Sequence, residues 1–202
     1  WSCLGNLETR NQDKSSKKPW TPLCKEERAA APLEVLKSYT SRFGPFSSIL
    51  TSSMGTSLFD GLPLLEKEEF SLIPKTLIIS RGMPSVEKYL TKKYPWTGQI
   101  LASIASHLGL AMDGEKALIE FLKRAYSQTS PLLSRKKVIV IEMSNDTLFS
   151  KEGAFDADFG ETINEYADLF RGKFTLPTEP NGIHHYAPID QIKKYQGLEG
   201  CQ

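Results

Sequence analysis

Short apolar runs alternate with stretches of helical periodicity along this chain. The runs at residues 46–54, 77–79 and 138–141 are typical of buried strands, and residues 174–176 are a further short candidate. The continuous β-branched run at 138–141 predicts an interior strand that is buried on both faces. Because strands that alternate with helices favour parallel pairing, the pattern predicts an α/β fold with a mostly parallel sheet.

Apolar residues recur at helical spacing between these runs. One helix is predicted within residues 25–43, where Gly44 and Pro45 end it. Three helices are predicted between the second and third strands, and the last of them, around residues 118–125, has the clearest i, i+3, i+4 pattern. One more helix is predicted over residues 163–170, and a C-terminal helix around residues 189–195.

Composition divides the chain near residue 43. Residues 1–43 are predicted to form a polar N-terminal arm and a helix, and residues 44–202 the α/β domain. A Cys3–Cys24 disulfide would staple the arm, although cysteines confined to the chain ends are as easily incidental. The start at Trp1 and these terminal cysteines favour an extracytoplasmic protein, either secreted or periplasmic.

The overall charge excludes some partners. A formal net charge of +1 gives no electrostatic reason to expect nucleic acid or an anionic membrane. No apolar run approaches the ~20 residues that a transmembrane helix requires. We therefore expect a small substrate rather than a polyanion.

Three residues that each follow a predicted strand, together with a histidine near the C-terminus, could form one catalytic site. Ser57 lies between two glycines and could act as a nucleophile, with His184 as its base. The backbone N–H groups of Ser57 and Gly82 and the side-chain amide of Asn145 could stabilise the oxyanion. Since the carboxyl ends of parallel strands meet at one sheet edge, Ser57, Gly82 and Asn145 are predicted to lie together there.

Each of these residues also has an ordinary structural explanation. A serine beside glycine usually belongs to a turn, and Gly82 close to Pro84 also indicates a turn. Asn145 is equally suited to a loop or a helix cap, and Asp60 is expected to be a turn residue or a cap rather than a catalytic acid. Only the occurrence of all four residues in order, at strand ends, favours catalysis.

The set resembles the SGNH/GDSL hydrolase superfamily, which is named for Ser, Gly, Asn and His in four sequence blocks. Residues 55–61 are similar to its first block, 79–82 to its second, 141–146 to its third and 181–184 to its fourth. The resemblance implies a three-layer, flavodoxin-like SGNH domain with a mostly parallel sheet.

The resemblance also implies an activity. Ser57 would be the nucleophile and His184 the base, while Ser57, Gly82 and Asn145 would form the oxyanion hole. The implied reaction is hydrolysis or transfer of a small acyl group, such as acetyl on a carbohydrate or another ester, without a metal or organic cofactor. Thr56 stands where the first block usually has Asp. The resulting Gly-Thr-Ser sequence occurs in the family's carbohydrate O-acetyltransferase and acetylesterase branch.

The chain departs from the family pattern in its last two blocks. Ser144 stands where the third block has glycine, and Asn181 replaces the acid that orients the histidine. Asp190 or Glu179 could supply that carboxylate instead. The stretch from 145 to 184 is predicted to hold one helix, where the family has a strand and a helix.

Other interpretations stay open. His185 could replace His184 as the base, or both could bind a metal with a carboxylate, although adjacent histidines are poorly spaced for one ion. The chain could be a non-catalytic SGNH-like binding domain, or have an unrelated fold. Asn145-Asp146-Thr147 is a glycosylation sequon, and a glycan on Asn145 would remove its amide from an oxyanion hole.

Overall fold

The computed structural model describes residues 25–128, 135–143 and 157–174. Its elements, in chain order, are α1 (Lys25–Phe43), β1 (Ser48–Ser52), two 3-10 helices (Ser53–Leu64 and Lys67–Leu72), β2 (Thr76–Ser80), α2 (Val86–Lys93), α3 (Gly98–His107), α4 (Gly114–Gln128), β3 (Lys136–Met143), α5 (Ala157–Tyr166) and β4 (Ala167–Phe174).

The four strands form one parallel sheet in the order β1-β2-β3-β4. This arrangement confirms the predicted α/β fold. Residues 138–141 lie in β3 between two neighbouring strands and are fully buried, as predicted. In a flavodoxin-like sheet the first strand lies between the second and the third. Here β2 lies between β1 and β3, so the strand order differs from the one that the SGNH resemblance implies.

The main core lies on one face of this sheet. Successive right-handed crossovers that add strands in one direction place all their helices on the same side. Consistent with this rule, alternate sheet residues pack with side chains of α1, the first 3-10 helix, α4 and α5 in a single cluster. Its members include Leu77, Ile79, Val138, Val140, Leu36, Phe59, Leu118, Phe121, Phe159 and Ile163.

The opposite face carries a second, smaller cluster. Ile78, Ile139 and Ile141 are fully buried there, whereas Leu50 in β1 and Phe170 in β4 are exposed. Among the described residues this cluster contains sheet side chains alone. The third layer of a three-layer arrangement therefore stays a prediction.

The segment after β3 differs from the prediction. The helix predicted over residues 163–170 ends at Tyr166, and Ala167 begins β4. In β4 the side chains alternate, with Ala167 buried and Asp168 exposed, which is the period of a strand. The predicted short strand at 174–176 therefore begins seven residues earlier, at Ala167, and the stretch between β3 and His184 holds a full strand as well as a helix.

Other boundaries agree more closely. The helix predicted within 25–43 and the three helices between β2 and β3 are confirmed. The first strand is shorter than predicted, Ser48–Ser52 instead of 46–54. Leu33 and Leu36 of α1 belong to the main core, although the sequence places α1 before the domain boundary at residue 44.

Several sequence predictions fall outside the described residues. These are the arm at 1–24, the three cysteines and the helix around 189–195. No helix within the described part of the chain has the length and apolar character that crossing a bilayer requires.

Candidate functional site

Polar residues gather at the carboxyl ends of β1 and β2. Ser52 and Ser80 end these strands and are paired in the parallel register. The next residues, Ser53 and Arg81, therefore leave the sheet side by side. This edge is where ligands bind in open parallel sheets.

Ser53 adopts an unusual backbone conformation at this edge. It directly follows β1, begins the first 3-10 helix and has φ of +53°. A left-handed conformation costs a residue with a Cβ about 1–2 kcal/mol and persists only where the surroundings impose it. The turn from strand to helix at Ser53 is thus strained, and its side chain is half-buried.

Thr56 holds this turn in place. Its hydroxyl lies 2.9 Å from the carbonyl oxygen of Ser53 and 2.8 Å from that of Met83, and so shares its single hydrogen between two acceptors. The Met83 N–H also donates to the Ser53 carbonyl oxygen at 3.4 Å. Because Thr56 is almost fully buried, these bonds join the loops after β1 and β2 without competition from water.

The predicted nucleophile, Ser57, lies one turn farther along. It is half-buried within the 3-10 helix, five residues beyond the end of β1, and so does not follow the strand directly as expected. Gly82 is buried in the loop after β2, between Arg81 and Met83. The structure thus places both residues near the β1–β2 edge, and their catalytic roles stay predictions.

Arg81 was not anticipated from the sequence. It has φ of +49° and is almost fully buried, and its N–H donates to the Ile141 carbonyl oxygen at 2.9 Å. Its guanidinium lies 3.4 Å from the hydroxyls of both Ser80 and Ser52. Arg81 therefore places a buried guanidinium beside the strand-ending serines. The sequence feature that could have identified it is an arginine directly after a strand of mostly apolar residues.

Asp60 lies inside the first 3-10 helix, rather than in a turn or at a helix cap, and makes a structural contact with another element. Its Oδ1 accepts a hydrogen bond of 3.0 Å from the Asp113 N–H, and Asp113 in turn caps the start of α4 by accepting from the Lys116 N–H at 3.1 Å. Asp60 therefore ties the 3-10 helix to α4 and is committed to that contact.

Glu142 is a second group that sequence reasoning missed. It is the penultimate residue of β3, and its Oε1 is buried with no hydrogen-bond partner among the described residues. A buried carboxylate oxygen of this kind normally has a donor. The carboxyl end of β3 therefore offers a carboxylate near the same sheet edge.

The remaining predicted residues lie beyond the described ranges. They are Asn145, Asn181, His184 and His185, together with the alternative acids Glu179 and Asp190. The one histidine that the structure describes, His107, is exposed at the end of α3. Across residues 25–128, 135–143 and 157–174, no group of three or more His, Cys, Asp or Glu side chains is arranged to hold a metal ion.

Three solved structures are distantly similar to this chain. No protein-family model and no curated protein matches the chain. A structure of RedJ with a polyethylene glycol molecule bound in the active site gives a TM-score of 0.44 at 14% identity, over 89% of this chain and 71% of that one.

Two further structures are similar at the same level. The RedJ thioesterase of the prodiginine biosynthetic pathway in Streptomyces coelicolor gives 0.43 at 14% identity, over 88% and 72% of the two chains. A puromycin-hydrolysing peptidase of Mycobacterium tuberculosis gives 0.38 at 15% identity, over 75% of this chain and 21% of that one. Likenesses this distant carry no conclusion about activity.

Proposed function

We propose that the chain is a serine hydrolase or acyltransferase in which Ser53 is the nucleophile. The observation that carries this proposal is the left-handed backbone of Ser53, directly between a parallel strand and a helix at the carboxyl-end edge of the sheet. A sharp, strained strand-to-helix turn is the device that exposes a nucleophilic serine above such a sheet. Strain of this kind is concentrated at functional sites.

The local sequence fits this role in part. A nucleophilic turn commonly has glycine two residues before and two residues after the serine. Here Gly55 occupies the second position and Thr51 the first. The buried Thr51 hydroxyl donates to the Ile78 carbonyl oxygen at 3.3 Å, so this side chain is accommodated beside β2.

The start of the 3-10 helix supplies donors for the oxyanion. The first N–H groups of a helix have no partner within it, and the cap residue Ser52 makes no side-chain bond to them. In the proposed reaction Ser53 Oγ attacks the acyl carbonyl and its proton passes to a base. The Met54 N–H then stabilises the negative oxygen, and the leaving group departs with that proton. Water or a sugar hydroxyl releases the acyl group in the second half of the reaction.

His184 or His185 is the proposed base. The chain has three histidines, and His107 is exposed on α3. With Ser53 as the nucleophile, the order serine, acid, histidine requires a carboxylate between Ser53 and the histidine. Glu142 lies within β3 and Asp146 follows β3 in the sequence. Either could supply this carboxylate, so an acid is not needed at Asn181.

The first substrates to examine are small acyl esters, including acetyl groups on carbohydrates. An extracytoplasmic location fits that substrate class and is part of this proposal. The SGNH assignment differs in one respect that can be measured, since it makes Ser57 the nucleophile and leaves Ser53 as a turn residue. A non-catalytic binding domain would need neither serine.

Covalent labelling with a fluorophosphonate separates these possibilities. The serine oxygen displaces fluoride from phosphorus, and the modified peptide is identified by mass spectrometry. We expect the label on Ser53, together with loss of acetyl-ester hydrolysis in Ser53→Ala and retention in Ser52→Ala. Label on Ser57 would restore the SGNH assignment. No label, with equal hydrolysis by all variants, would favour the binding domain. Parallel His184→Ala and His185→Ala variants identify the base.

A further inference from the structure

The α3 helix exposes a stripe of large apolar side chains. Trp96 just before α3, Ile100 and Ile104 within it, and Leu108 just after it are spaced four residues apart, and their exposed fractions are 96%, 63%, 51% and 54%. Leu101 beside them is also exposed. These five residues are called the apolar stripe below. A helix on a protein surface normally turns such residues inward.

The inner face of α3 explains why they point outward. Gly98 and Ala102 are its buried residues. A Cβ on Gly98 would lie 2.3 Å from the Leu90 carbonyl oxygen, so the close approach of α3 to α2 requires small residues there. The helix thus buries its small side chains and exposes its large ones.

The charge pattern around the stripe is also uneven. Residues 94–112 contain no Asp, Glu, Lys or Arg. Lys92 and Lys93 lie exposed immediately before them. The Lys93 ammonium donates to the Tyr89 hydroxyl at 2.5 Å and is 5.8 Å from the centre of the exposed Tyr94 ring. One acidic residue also reaches α3, since the Glu87 carboxylate accepts from the Gln99 side-chain amide at 3.4 Å. An apolar face with tryptophan and tyrosine, bordered by lysines, is the composition of segments that lie in the interface of a lipid bilayer.

The α2–α3 pair is firmly attached beside the candidate site. The Val86 N–H donates to the Met112 carbonyl oxygen and the Glu115 N–H to that of Pro84, both at 3.0 Å. The Lys88 ammonium pairs with the buried Glu115 at 2.6 Å. These bonds tie the start of α2 and the residue Met112 after α3 to the loop after β2 and to the start of α4.

We propose that the apolar stripe inserts into the surface of a phospholipid bilayer, with Lys92 and Lys93 against anionic headgroups. This binding goes beyond the proposed hydrolase activity and does not depend on Ser53. The net charge of +1 does not oppose it, because attraction to anionic lipid depends on lysines within about one Debye length of the surface. A lipid surface is favoured over a protein partner by the lysine and aromatic border and by the almost complete exposure of Trp96.

The fluorescence of Trp96 tests the proposal directly. The chain has three tryptophans, so a Trp1→Phe/Trp20→Phe variant reports Trp96 alone. We expect emission typical of water in the free protein, and a blue shift with co-sedimentation on vesicles of phosphatidylcholine and phosphatidylserine. Ile100→Ser/Ile104→Ser should weaken vesicle binding about tenfold or more, because two apolar anchors are lost. Lys92→Gln/Lys93→Gln should remove most of the dependence of binding on salt.

Matched controls keep the outcome interpretable. Leu64→Ser changes an equally exposed leucine outside the stripe and should leave vesicle binding unchanged, and circular dichroism should show each variant folded. Blue-shifted emission without vesicles would overturn the proposal, because the stripe would then be covered by another part of this chain. A dimer in sedimentation that Ile100→Ser/Ile104→Ser dissociates would identify a second copy as the occupant. Unchanged emission with vesicles would also overturn it.

Discussion

Ser53 and Arg81 leave neighbouring parallel strands through the same left-handed backbone conformation, with φ of +53° and +49°. Each follows a strand-ending serine, and the guanidinium of Arg81 lies 3.4 Å from the Ser52 hydroxyl. Two strained non-glycine residues at one sheet edge are unusual, since strain persists only where other contacts impose it. The contacts of Thr56 supply that constraint for Ser53.

Glycine substitution distinguishes strain at Ser53 from ordinary turn geometry. Ser53→Gly should abolish acyl transfer while leaving the free energy of unfolding unchanged, or raising it by up to about 1 kcal/mol, because glycine accepts positive φ. Ser57→Gly should lower stability by about 0.5–1 kcal/mol, since its φ is not positive and glycine gains entropy in the unfolded chain. Urea unfolding and acetyl-ester hydrolysis of both variants give the comparison. Greater destabilisation by Ser53→Gly than by Ser57→Gly would contradict it.

The hydroxyl of Thr56 should matter for both stability and activity. Thr56→Val keeps the shape of the side chain but removes the donor that serves the Ser53 and Met83 carbonyl oxygens. We expect a loss of about 1–3 kcal/mol of stability, because buried acceptors lose their partner. Ester hydrolysis should fall about tenfold or more at saturating substrate, since the nucleophile is displaced.

Thr56→Ser is the matched control for that change. It retains the hydroxyl and removes one methyl group, so it should keep most of the hydrolysis rate despite some loss of packing. A Thr56→Val enzyme with full activity would show that the bonds to Thr56 do not position Ser53.

The secondary structure could be predicted from the sequence where an apolar pattern was long and regular. The four β-branched residues at 138–141 predict an interior strand because no other position suits such a run. The apolar residues at 163, 166, 167 and 170 have helical spacing by coincidence. The first two lie in the last turn of α5, whereas the other two belong to β4. A pattern that crosses a junction between two elements cannot reveal the junction.

The candidate nucleophile differs between the sequence analysis and the proposed function for a similar reason. The sequence places the end of the first strand at residue 54, which makes Ser57 the nearest serine flanked by glycines, whereas the strand ends at Ser52. A two-residue uncertainty in a strand end is enough to change which serine occupies the turn. The positive φ of Ser53 has no signature in the sequence, because serine in that conformation is imposed by Thr56 and the neighbouring loop.

Close packing between α4 and the first 3-10 helix predicts different effects of alanine at two glycines. A Cβ at Gly114 would lie 2.6 Å from the backbone oxygen of Thr56, so Gly114→Ala should lower stability by about 1–3 kcal/mol through overpacking. A Cβ at Gly55 would meet nothing within 4 Å, so Gly55→Ala should leave stability nearly unchanged. Thermal unfolding of the two variants side by side is sufficient. Equal melting temperatures would mean that the contact with Thr56 does not restrict the size of the side chain at position 114.

Lys136 should make stability depend on pH in the alkaline range. Its ammonium is buried between β3 and the loop before β2, where it donates to the Ile73 carbonyl oxygen at 2.8 Å, and burial lowers its pKa from 10.5 to about 8. Between these two values the folded protein has lost this proton and the unfolded chain still holds it. Stability therefore rises with pH across that window, by about 1.4 kcal/mol per unit, and is insensitive to this group below pH 8.

Comparison with Lys136→Met isolates this contribution from other titrating groups. We expect the stability curves of the two proteins, from guanidinium unfolding at pH 6 to 10 in steps, to run parallel below the pKa of about 8. Above this pH the unsubstituted protein should become more stable relative to the variant. The reason is that its folded state loses the proton of buried Lys136, whereas the variant has no such proton to lose. Curves that stay parallel to pH 10 would show that Lys136 keeps its proton in the folded protein, and that its bonds to Ile73 and Pro74 outweigh the cost of burial.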